Sequence, residues 1–85
     1  MEDKTLANHL QEQYCEEIED ANKYLDLSEK AEHEGRHLTA RGLEMIAHEE
    51  MSHANFLRER LLEWGEYPDG KDDKWHHLLH RLGYE

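Results

Sequence analysis

The sequence predicts an all-α protein: a long antiparallel hairpin of two helices followed by one short helix. Three observations predict it. Apolar residues recur every three or four positions through two long segments. Gly35 sits between those segments as a natural helix C-cap and turn. A cluster of breakers, Gly65-Glu66-Tyr67-Pro68-Asp69-Gly70, then separates the second segment from a last apolar stretch.

The first helix is expected over about 6–34, with Leu6, Leu10, Tyr14, Glu17, Ile18, Ala21, Tyr24, Leu25 and Ser28 along one face. Thr5 is a candidate N-cap, and Lys30 suits the negative end of the helix dipole. The second helix is expected over about 38–64. Its stripe reads Leu43, Ile46, Ala47, Glu50, His53, Ala54, Leu57, Leu61 and Trp64. Gly42 lies inside it at a cost of about 1 kcal/mol against alanine, which close packing or a bend would explain. A short helix over about 74–82 carries Trp75, Leu78, Leu79 and Leu82, with Asp72 or Asp73 as its cap.

At 85 residues the chain has room for a single domain, 1–85. Leu, Ile and Phe together number 15 and Val is absent, a low supply of core formers. The net charge is −11, from 10 basic and 21 acidic side chains. Helices of this composition form but cannot bury enough surface within one chain, so a metal, disulfides or a second copy must complete the domain. Cys15 is the only cysteine, which excludes an internal disulfide and fits a reducing, cytoplasmic compartment. The first residues show no basic segment followed by an apolar run, and nothing approaches a membrane span. Strong acidity argues against nucleic acid and favours cations.

Two members of the second stripe, Glu50 and His53, are polar. A carboxylate and an imidazole one turn apart on an apolar face are costly to bury unless something pairs with them, and a metal ion would. Glu17 interrupts the first stripe in the same way. It lies 18 residues before Gly35, and His53 lies 18 after, so a hairpin turning at Gly35 brings them level. A rotation of the first helix that placed Ile18 inward would instead leave Glu17 at the rim. Three protein ligands suffice for one zinc with an open position. They are also half of the four-Glu, two-His complement of di-iron carboxylate bundles, which two copies of the hairpin would supply.

Other patterns carry less. The histidines at 48 and 53 are five apart, not the four that a zinc protease needs. The run from Asp69 to Asp73 lacks the glutamate that would close a calcium loop. His76, His77 and His80, and His33 and His37 at the turn, read as solvated or interface residues, and Cys15 as packed or idle.

The layout Glu17-x6-Tyr24 followed by Glu50-Met51-Ser52-His53-Ala54 resembles rubrerythrins and other ferritin-like proteins. A hairpin followed by Asp72-Asp73-Lys74-Trp75-His76-His77-Leu78 is similar to the encapsulated ferritins, over roughly residues 10–82. The resemblance implies a half-ferritin that completes a four-helix bundle by dimerisation and oxidises Fe(II) at a di-iron site between subunits. It also implies assembly of such dimers into a ring, and storage of the ferric product inside an encapsulin shell. By position, Glu17, Glu50 and His53 match the family's ferroxidase ligands. Tyr24 matches an aromatic beside the site, and Glu16 and Glu19 an outer acidic pair near the metal entrance, although in composition that pair also reads as part of a solvated face. Calcium or zinc would be substitute or secondary ions. Lys23 stands where the family can carry Trp beside the entrance, and the sequence given shows no shell-targeting tail after Glu85. Two rivals stand beside this ferroxidase: a non-catalytic helical assembly module held by structural zinc or calcium, and a rubrerythrin-like di-iron peroxidase. The second is weakened by the absence of a cysteine-rich electron-supplying segment from the sequence.

Overall fold

A computed structural model describes residues 2–66 and 72–84, with side chains from residue 6 in the first stretch and from residue 73 in the second. The described residues form three helices and no strand: α1, Glu2–His33; α2, His37–Glu63; and α3, Asp72–Arg81. This is the all-α hairpin with a short third helix that the periodicity predicts. The expected turn at 67–70 lies outside the described residues.

The turn between α1 and α2 is closed by backbone chemistry. Gly35 adopts φ 77°, a left-handed conformation that side chains with a Cβ avoid. That conformation lets Arg36 N–H donate to the Ala31 carbonyl at 2.8 Å and Gly35 N–H to that of Glu32 at 3.0 Å. The pair of bonds satisfies carbonyls that the helix end would otherwise strand. The same pattern ends α2 at Gly65 and α3 at Gly83.

Element boundaries shift modestly from expectation. The first helix begins at Glu2, so Thr5 lies within it and is not its cap. Asp72 and Asp73, expected as caps, form the first turn of α3, where negative charge suits the helix dipole. Gly42 has no neighbour within 4 Å of where a Cβ would stand, so packing inside the chain does not explain it.

Small residues line the hairpin seam: Ala21, Ala47 and Ala54 are fully buried. Larger side chains, Tyr14, Ile18, Leu25, Met51 and Leu61, fill the spaces between them. Near the turn, buried Ser28 Oγ donates to the Ala40 carbonyl at 2.8 Å and ties the two helices together. Helix α3 lies across one side of the hairpin, inserting Trp75 and Leu78 into the core. The Trp75 ring packs 6.4 Å from Tyr14, and the Arg58 guanidinium sits over it at 5.6 Å. Arg81 then binds α1, reaching Asn22 Oδ1 at 2.6 Å, Asp26 at 2.9 Å and Glu29 at 3.3 Å.

The predicted α2 stripe is only partly buried. Ala47, Ala54 and Leu61 are inside, joined by Met51, which the stripe did not include. Ile46 and Trp64 stay 37 % and 47 % exposed, and His53 is exposed too. Contact with α1 centres on the alanine seam, so the flank carrying Ile46, His53 and Trp64 turns past it. Leu6 of the α1 stripe is likewise 48 % exposed. With principal extents of 51 × 23 × 16 Å, the chain is a thin slab. Helical register turns Glu17 away from the α1 side that α3 occupies through Asn22, Asp26 and Glu29.

Candidate metal centre

Three side chains from two helices meet on the flank that α3 does not cover. Glu17 projects from the middle of α1, while Glu50 and His53 leave α2 one turn apart. Each offers one ligating atom, and the three atoms lie within 4.8 Å of one another. His53 Nδ1 is 3.2 Å from Glu17 Oε2 and 3.8 Å from Glu50 Oε1. Burial is graded across the group: Glu17 is 9 % exposed, Glu50 is half-buried, and His53 opens to solvent. The rotation that would have put Glu17 at the rim does not occur, because Ile18 and Glu17 are both buried.

The electrostatics follow from crowding. Glu50 has its pKa raised from 4.5 to about 7, chiefly because its protonated carboxyl shares a hydrogen bond with Glu17. Burial and the negative charge of Glu17 push the same way, His53 partly opposes them, and Asp20 adds further repulsion. Below about pH 7 the chain by itself therefore keeps a proton on Glu50 beside Glu17. A cation would neutralise the same pair and displace that proton, which is the behaviour of a metal-ligating set.

The raised value makes the chain's stability depend on pH with a definite sign. Between about 4.5 and 7 the folded chain keeps a proton on Glu50 that the unfolded chain has lost. This contribution is fully present below about 4.5 and disappears as pH rises through about 7. The metal-free protein is expected to lose melting temperature over that interval. Glu50→Gln, which mimics the neutral form, should show a flatter dependence, and equal slopes for the two proteins would show that Glu50 keeps an ordinary pKa.

The other sequence-derived residues divide by face. Tyr24 lies two turns along α1 from Glu17, half-buried and packed against the core. Glu16 and Glu19 are exposed. Glu19 lines a groove of about 660 Å³ between α1 and α3, with Ile18, Lys23, Asp26, Lys74 and His77. Lys23 therefore stands at that groove as well. His76, His77 and His80 are exposed, and among the described residues no three-ligand group other than Glu17, Glu50 and His53 forms. Sequence spacing singled out Glu16 and Glu19 but not Asp20, which is half-buried and acts on Glu50. Its position three residues after Glu17, which puts it on the same face, was the available signal.

A family model describing a ferritin-like domain matches residues 7–82, a span that includes the three candidate ligands and α3. The chain belongs to the ferritin-like family. No curated protein and no solved structure matches it.

Proposed function

We propose that two copies of this chain pair through the flank bearing Glu17, Glu50 and His53, complete a four-helix bundle, and oxidise Fe(II) at the shared site. The observation that carries the reading is the convergence of two carboxylates and one imidazole from two helices, in a chain of the ferritin-like family. One chain presents three protein ligands, and two chains present the four Glu and two His of a di-iron bundle. Pairing also covers Ile46, Trp64 and Leu6, which the single hairpin leaves exposed.

In this reading Fe(II) is the substrate and O2 or peroxide the oxidant. Glu17 and Glu50 supply hard carboxylate oxygens, and His53 supplies Nδ1 from the rim. Glu50 gives up its proton as the cation enters, so uptake releases acid and strengthens as pH rises toward 7. The carboxylates favour the higher charge of Fe(III), which is the product. Burial orients the Glu17 oxygens, and the exposed His53 ring, held 3.2 Å from Glu17, stands at the edge that a partner chain would cover.

The resemblance to encapsulated ferritins extends the proposal to a ring of dimers in the cytoplasm, delivering ferric iron into an encapsulin shell. Light scattering combined with aerobic Fe(II) oxidation tests the core of it. The expected result is a dimer or a multiple of it, binding about two irons per pair and oxidising Fe(II) faster than buffer. A monomer whose mass is unchanged by Fe(II) would remove the shared site. A zinc- or calcium-dependent oligomer with no iron turnover would leave an assembly module in its place.

A further inference from the structure

The flank that carries the three ligating groups holds a fourth acidic side chain. Asp20 lies one turn along α1 from Glu17, on the same face by helical register. It is half-buried, while Glu16 and Glu19 on either side of that register are exposed. It makes no hydrogen bond or ion pair with the described residues. A partly desolvated carboxylate without a counter-charge is an unfavourable thing to place beside two others. The face therefore carries three carboxylates against one imidazole.

We infer that Asp20 is an affinity-determining residue of the metal centre, attracting the divalent ion through space without joining the three ligands that bind it. This deepens the ferroxidase reading and rests on it. The geometry separates field from coordination: atoms of Glu17, Glu50 and His53 fall within 4.8 Å of one another, and Asp20 is outside that group. Its carboxylate nevertheless lies one helical turn from that of Glu17 on the same face, close enough to act on the site through space. What repels a carboxylate attracts a cation by the same law. Glu19, by contrast, lines the groove against α3 on the other side of the helix. The carboxylate nearest in sequence spacing to an entrance is thus not the one that this hairpin turns toward the site.

Anaerobic titration with Co(II), followed by calorimetry and by the visible absorption of the bound ion, tests the inference. Asp20→Asn is expected to weaken Co(II) binding roughly three- to tenfold at low ionic strength, with the stoichiometry unchanged. The deficit should largely vanish at about 0.5 M salt, where through-space attraction is screened. Glu19→Gln serves as the control and should change affinity by less than about twofold under both conditions. Circular dichroism of the metal-free variants checks that they fold.

Affinity of Asp20→Asn equal to the parent at low salt would overturn the inference. So would a deficit that salt does not reduce, which would make Asp20 a direct ligand, and so would an equal loss in Glu19→Gln, which would reduce the effect to net charge. A parent protein that binds no Co(II), or that binds it equally after His53→Ala, would remove the metal-centre reading itself and this inference with it. A parent that binds through His53 while Asp20→Asn matches it removes only the inference.

Discussion

Glu50→Ala is expected to lower the rate of aerobic Fe(II) oxidation by about a hundredfold or more, because even groups that merely orient a metal ligand are worth about ten- to a hundredfold. Glu50 meets both of the other candidate ligands in this hairpin. Glu17 shares its hydrogen bond, and His53 Nδ1 lies 3.8 Å away. The variant is informative because the fold has no need of that carboxylate. Removing it relieves repulsion with Glu17 and Asp20, and alanine is the better helix former. The metal-free variant should therefore melt at the same temperature as the parent at neutral pH, or higher. Iron oxidation as fast as the parent's, measured by oxygen uptake, would show that the assigned residues are not the site.

Ile46→Asp is expected to cut self-association by two to three orders of magnitude or so while leaving the hairpin intact. Ile46 is 37 % exposed in the single chain, so the substitution has little to disrupt there. On the proposed pairing face it would place a charge in an apolar contact, four residues before Glu50 and on the same side of α2. Sedimentation should show a monomer at micromolar concentration with the parent's helical content. Iron bound per chain should fall with it, because each chain would retain only its own three ligands. A variant that stays dimeric with unchanged iron stoichiometry would place the interface on another face.

Most of the hairpin was legible in the chain because helix formation here is a local matter. Apolar spacing, the absence of Pro from α1 and α2, and glycine just past His33 and Glu63 act over a few residues, and the described helices follow them. The boundary differences fall at the helix starts, where bounds are the least sharply specified. Glu17, Glu50 and His53 were legible for a related reason. A polar residue inside an apolar stripe stands out, and a symmetric hairpin makes sequence distance from Gly35 a measure of height.

Other features depended on rotation about the helix axes, which periodicity locates only to within a residue or so. The alanines at 21, 47 and 54 are buried together with Met51, whereas Ile46, His53 and Trp64 fall on an open flank. The same rotation turned Glu19 toward α3 and left Asp20 on the face of the site. Arg81 could not be assigned to Asn22, Asp26 and Glu29 from sequence, since 52 or more residues separate it from each of them.

By itself, then, the sequence determined three helices, the place of the turn and which three residues are the candidate ligands, because each follows from interactions along one helix or across one turn. Tertiary structure alone decided which flank stays uncovered and how closely Glu17 and Glu50 are brought together. Those depend on how far two helices rotate and approach, which follows from the side chains packed between them, Ala21, Ala47 and Ala54 among them, and not from spacing along either helix.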